Sequence, residues 1–368
     1  MRIDRREFLT SGAVALGGTL FAAGAVGEEA IGGARLARPD AIDALFDRSI
    51  VIDTLSVDPE WTDEVFAAFK RSGVTAIQTS LNNRTLAAAT ADLAKWQARL
   101  DRYSDRLIKV TRGGDITNAK QQGKIAVVLG FQNATMIGDE VNNVDLLHRM
   151  GTRCIQLTYN ARNLLGDGCT ERTNAGLSDF GLEVVERMNQ LGIVVDLSHC
   201  GEATSRDGIA VSTRPPAFTH TMCKSVYDHP RAKSDALLKT LADKGGVVGI
   251  ATLGYFSGPT PETSFDDYLK HVDHAVKVAG IDHVGLASDY SIRGIEPTAT
   301  RENWYLPRLK QFKPSYRVRW PPWIKELDPP ERFRTIARGL AKRGHRTGDI
   351  EQIIGGNWAR YFGEILGA

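Results

Sequence analysis

Residues Gly192–Cys200 read GIVVDLSHC and residues Pro216–His220 read PAFTH. Each is a short apolar run, and each carries a histidine at its end: His199 in the first, His220 in the second. Runs of this length and composition, set between helical patterns, read as buried strands. Two imidazoles at the ends of neighbouring strands can converge on one metal ion, because neutral imidazole is a common zinc ligand. A lone histidine at a strand end is more often a hydrogen-bonded structural residue. Two in matching positions change that balance.

Working outward, the same kind of run recurs. Strands are expected at Ser49–Ser56, Val74–Leu81, Ile125–Phe131, Arg153–Tyr159, Ile193–His199, Pro216–His220, Val247–Thr252 and Val284–Asp289. Helical patterns separate them: Pro39–Phe46 ahead of the first, then Asp63–Ser72, Ala87–Tyr103, Asn143–Met150, Asp179–Leu191, Asp235–Lys244 and Phe265–Ala279, with Thr347–Ile365 closing the chain. Gly73, Gly151, Gly192, Gly245 and Gly280 fall where such helices end, the position that favours a left-handed residue. Eight strands alternating with helices predict an α/β fold, a (β/α)8 TIM barrel of the metal-dependent hydrolase type. A doubly wound open sheet competes, but no Gly-rich phosphate loop follows the first strand. In a barrel the site lies at the C-terminal strand ends. Those ends offer Asp53, Leu55, Val57, Gln132, Asn133, Tyr159, Asn160, His199, His220 and Asp289.

The chain has 368 residues, long for one domain unless that domain is a barrel. Its net charge of +2 argues against nucleic acid as a partner. Four cysteines, Cys154, Cys169, Cys200 and Cys223, are too few for a disulfide scaffold, although export would permit a pairing. Residues 1–27 carry Asp4-Arg5-Arg6-Glu7-Phe8-Leu9 ahead of a Gly/Ala-rich run, the pattern of a twin-arginine export signal. The expected localisation is therefore periplasmic or exported, with no membrane span once the signal is removed. Residues 39–368 then form the barrel domain. Residues 291–334 interrupt the repeat with aromatic, basic and proline residues. They read as a loop insertion after strand 8 that packs beside the mouth, as a lid or as a homodimer contact.

Asp289 ends the last strand, where a carboxylate can ligate metal or move protons. Capping of the following loop is the blander role. Asp196 has opposite parity to His199 along a regular strand, which points it to the helix layer and away from the site. Tyr159 can donate to a carbonyl oxygen or serve as a buried barrel residue. Asp53 can face the lumen or act as a structural acceptor at the barrel floor.

Taken together, GIVVDLSH, FTH, Asp228-His229-Pro230-Arg231 and GLASD resemble the membrane (renal) dipeptidase family, peptidase M19. Gly176–Gly181 and Gly356-Asn357 add to the likeness, which runs from about Ile50 to about Phe362. The resemblance implies a zinc dipeptidase on an amidohydrolase-type barrel, with two zinc ions bridged by a glutamate. It implies that His199 and His220 hold metal, that Asp289 is the proton shuttle and that Arg231 receives the substrate carboxylate. The departures are specific. Leu55 and Val57 stand where strand 1 should carry a His-x-Asp pair, and Asp58 comes one residue late. Gln132 replaces the bridging glutamate, and Tyr159 replaces a histidine that contacts the scissile carbonyl.

These residues predict one zinc ion rather than two, held by His199 and His220 with Gln132, Asp289 or water completing the set. Asp289 and Tyr159 would be catalytic; Arg231 and Asn160 would bind substrate. The expected activity is hydrolysis of an amide or dipeptide-like bond in a small peptide-like substrate. The alternative is a dead or metal-free barrel that binds or isomerises such a ligand.

Overall fold

The structure is a computed structural model and describes residues 42–259 and 263–367. The expected signal segment 1–27 and the start of the expected Pro39–Phe46 helix lie outside the described residues. Eight parallel strands follow one another around the barrel: β1 (Ile52–Asp53), β2 (Ala76–Ser80), β3 (Ile125–Phe131), β4 (Thr152–Gln156), β5 (Val194–Asp196), β6 (Ala217–Cys223), β7 (Val247–Ala251) and β8 (Val284–Ala287). Each pairs in parallel with the next. The ring closes between β8 and β1. There the Asp289 N–H donates to the Leu55 carbonyl at 2.9 Å and the Val57 N–H to the Tyr290 carbonyl at 3.2 Å. The open-sheet alternative is thereby excluded. Two short strands absent from the sequence reading, Leu107–Lys109 and Ala232–Lys233, add to the outside of β3 and β6.

The expected helices Asp63–Ser72, Asp179–Leu191 and Phe265–Ala279 have those bounds. Ser264 begins the last with a capping box, its hydroxyl accepting from the Asp267 N–H while Asp267 accepts in return. All five glycines expected at helix ends have positive φ, among them Gly73 at 76° and Gly192 at 71°. The helices Gly114–Gln121, Glu202–Val211 and Arg332–Lys342 were not expected. Thr347–Ile365 is not one helix: it breaks into Thr347–Glu351, a wide turn at Gln352–Gly356, and Asn357–Leu366. Gly355 lies so close to the chain entering β1 that a Cβ would stand 2.2 Å from the Ile50 carbonyl oxygen, so the position has no room for a side chain.

Two apolar layers hold the barrel. Aliphatic side chains on the outer strand faces meet the helices. Inside, Ile52, Ala76, Val128, Val194, Ala217 and Val247 fill the lumen together with Trp358, Tyr361 and Phe362 of the final helix. That helix plugs the floor, and Gly285 makes room for the indole: a Cβ there would be 2.1 Å from Trp358 Nε1. With floor and lumen filled, the polar strand ends at the top, Gln132 and Asp289 among them, are left to line a cavity.

Candidate active site

β5 ends at Asp196, earlier than the sequence implied. The Asp196 carboxylate accepts from the Ser198 N–H at 2.9 Å, and the chain turns through Leu197–Cys200. This turn overturns the parity argument for Asp196. The residue is on the same strand face as Val194 of the lumen, is fully buried, and pairs in register with Ala217 of β6. His199 sits on the turn, so strand alternation does not govern it.

The two imidazoles meet. Nε2 of His199 lies 3.1 Å from Nε2 of His220, and both residues are buried. Each ring is held from behind. Asn160 Oδ1 lies 2.7 Å from Nδ1 of His199. Thr219 Oγ lies 2.8 Å from Nδ1 of His220 and gives its own proton to Asp196 at 2.7 Å. The Thr219 hydroxyl therefore accepts from His220, and Nδ1 carries the proton in both rings. Burial, reinforced by Arg231, holds both histidines well below the usual imidazole range, so they are neutral. Two lone pairs thus face each other with no proton between them. Two zinc–nitrogen bonds of about 2.0–2.1 Å at a tetrahedral angle would set their nitrogens roughly 3.3 Å apart, so the pair fits one cation. The strand 1 positions offer no ligand: Leu55 is fully buried and Val57 is aliphatic. Asp58 is committed to Ser56, Ser291 and the Ile292 N–H. Among the described residues no three His, Cys, Asp or Glu side chains converge as a ready metal cluster.

Above the pair lies a cavity of about 740 Å³. Gln132, Asn133, Tyr159 and Asp289 line its barrel side; Trp304, Arg308, Phe312 and Tyr316 of the insertion line the other. Residues of the 291–334 segment therefore form one wall of the cavity, and the segment ends by entering the helix Arg332–Lys342. The Tyr159 ring stacks on His199 with centroids 4.1 Å apart, forming the layer between cavity and histidines. Burial pushes its hydroxyl well above the ordinary phenol range, so it stays a donor. Asp289 adopts φ 65°, an uncommon conformation that Asp tolerates better than most residues. Its pKa rises to about 7 because the site strips water from the carboxylate; Arg231 and Arg308 oppose the rise, while Asp53 and Asp196 add to it.

The remaining candidates have specific places. Gln132 is half-buried on the cavity wall. Asn160, expected to touch substrate, is the residue that orients His199, and its Nδ2 has no partner among the described residues. Arg231, expected at the substrate carboxylate, is fully buried. Its guanidinium donates to the Ser198 and His220 carbonyls and ties the ends of β5 and β6 together. Asp53 is a structural acceptor at the β1–β8 seam, taking hydrogen bonds from the Ser288 N–H and hydroxyl. All four cysteines are free thiols. The sequence reading missed Thr219, whose one signal was its place beside His220.

The fold is a closed parallel (β/α)8 barrel of the amidohydrolase type, with paired histidines under its mouth. The chain belongs to the membrane dipeptidase family, peptidase family M19, which matches residues 63–308. It is 30% identical over 270 residues to dipeptidase verJ of Clonostachys rogersoniana, covering 72% of this chain and 62% of that relative's length. An amidohydrolase from Pseudomonas aeruginosa has the same architecture, with a TM-score of 0.79, 30% identity, and coverage of 89% of this chain and 99% of that one. The probable dipeptidase PvdM of Pseudomonas aeruginosa shares the fold at a TM-score of 0.74 and 18% identity, with coverage of 89% of this chain and 98% of that one.

Proposed function

We propose that the protein hydrolyses an amide or dipeptide-like bond with one metal ion held by His199 and His220. The single observation that carries this reading is the pair of buried imidazole Nε2 atoms 3.1 Å apart, with Nδ1 of each ring turned away to Asn160 or Thr219. A metal ion held by His199 and His220 would supply a Lewis acid to polarise a carbonyl and to acidify water. Gln132 is the residue on the cavity wall proposed to complete the coordination. The chain's own groups do the rest. Asn160 and Thr219 fix the two imidazoles. Asp289, poised near neutrality, takes a proton from the attacking water and returns it to the leaving amine. The Tyr159 hydroxyl donates to the carbonyl oxygen as negative charge builds on it. The substrate lies in the cavity between the barrel rim and the insertion, and the Tyr159 ring that separates it from His199 must swing aside for its carbonyl to meet an ion on the two histidines. We read residues 1–27 as its export signal, which would place this activity in the periplasm. Fractionation of cells that express the full chain, with and without Arg5 and Arg6, tests that part.

Leu55 and Val57 favour a competing reading, a barrel that binds a peptide-like ligand without cleaving it. Metal content per chain, measured with turnover of a dipeptide panel by wild type, His199→Ala and Asp289→Asn, separates the two. One ion per wild-type chain, with turnover lost in both variants, is the expected result. Unchanged turnover in both variants removes the metal mechanism.

A further inference from the structure

Two arginines, Arg84 and Arg293, line the cavity where it passes over the end of β1. They come from the strands that flank β1: Arg84 follows β2, and Arg293 follows β8. β1 pairs with β2 on one side, and on the other its Leu55 carbonyl accepts from the Asp289 N–H just past β8. The two guanidiniums therefore approach the cavity from either side of the strand end that carries Leu55 and Val57.

Neither arginine is neutralised at this end. Arg84 is exposed, and no carboxylate among the described residues pairs with it. Arg293 is paired loosely, 3.5 Å from Glu64, whose side chain is 82% exposed, and such a pair contributes little. Its Nε is buried and has no hydrogen-bond partner among the described residues. The loop beneath is fixed, because the Arg293 N–H donates to Ser291 Oγ and that hydroxyl donates to Asp58. Asp58 is thereby spent, and it does not line the cavity. Asp289 is the one carboxylate among the lining residues, and proton transfer is assigned to it. A free dipeptide carries an ammonium group on its acyl half. That cation finds no carboxylate in the cavity to replace the water it gives up. A carboxylate in its place meets planar donors that suit it.

We infer that the cavity end over β1 receives an anionic acyl group through Arg84 and Arg293, so that the protein prefers N-carboxyacyl amino acids, such as a succinyl amino acid, to dipeptides with a free amino group. The inference rests on the hydrolase reading for the presence of an acyl half, but the binding step does not need turnover. It concerns only the group at the far end of the acyl half. The carboxylate of the amine half is common to both kinds of substrate and does not enter the comparison.

Calorimetric binding of Ala-Ala, propionyl-Ala and succinyl-Ala to the full chain tests this. The three share one alanine with its carboxylate and differ in the acyl half, which is cationic, neutral or anionic. Wild type should bind succinyl-Ala most tightly and Ala-Ala least, with roughly 10- to 100-fold between succinyl-Ala and propionyl-Ala. Arg84→Gln and Arg293→Gln should each remove most of that lead, and Arg293→Lys should keep part of it. Equal binding of succinyl-Ala and propionyl-Ala by wild type overturns the inference, as does no binding of succinyl-Ala. So does an equal loss for all three ligands in the variants, which would put the arginines on the shared alanine carboxylate. Binding in the expected order without cleavage of any of the three would instead overturn the hydrolase reading and leave this inference standing.

Discussion

Asp196 and His220 are joined through a single hydroxyl, that of Thr219, which donates to the carboxylate and accepts from the imidazole. This relay fixes which nitrogen of His220 is free. Thr219→Val keeps the side-chain shape and removes the hydroxyl. Divalent-metal affinity, read by competition with a chelator, should then fall about 10- to 100-fold. Thr219→Ser should retain most of it. Wild-type affinity in the valine variant would show that the relay does not orient the ring.

Asp289 links activity to stability through pH. Its folded pKa of about 7 stands above the unfolded value of about 3.9. The neutral form is thus favoured by folding. The associated stability is fully present below the unfolded pKa and is lost as pH rises through about 7. The facing groups are Arg231, Arg308, Asp53 and Asp196. As a base, Asp289 should give a kcat/KM that rises with pH and levels off above about 7. Asp289→Asn should abolish turnover. Measured by metal-free denaturation, the variant's stability advantage should grow by about 2–3 kcal/mol between about pH 5 and about pH 8. A flat difference across that range contradicts the assigned shift.

Tyr159 combines a ring that stacks on His199 at the cavity wall with the hydroxyl proposed to serve the reaction. Tyr159→Phe retains the first and loses the second. We expect kcat to fall about 100- to 1,000-fold with metal stoichiometry unchanged. If kcat is kept, the tyrosine is only a cover for the histidine.

Trp358 tests the floor of the barrel independently of the mouth. It is fully buried against Tyr361, Phe362 and the backbone of Gly285. Trp358→Ala should cost about 3–5 kcal/mol in denaturant unfolding. The folded fraction should keep its metal, because the histidines hang from the opposite end of the strands. Gly285→Ala should also destabilise, since its new methyl group meets the indole directly.

The sequence by itself determined the repeat. Apolar runs between amphipathic helices, and glycines at five helix ends, are local properties, so eight strands and a barrel could be read from them. The pairing of His199 with His220 was legible for the same reason, because both close consecutive strands. So was the loss of the strand 1 ligands, since Leu55 and Val57 have no atoms that bind metal. Tertiary structure alone decided the direction of Asp196, which depended on where β5 stopped and not on alternation along it. It decided that Asn160 serves His199 and that Arg231 braces β5 against β6, because the partners lie 11 to 39 residues apart in the chain. It also decided that Arg308, within an irregular insertion, stands over the mouth. Periodicity reports which face a side chain occupies while the backbone stays regular. It is silent once the chain turns, and most of this site is built on turns.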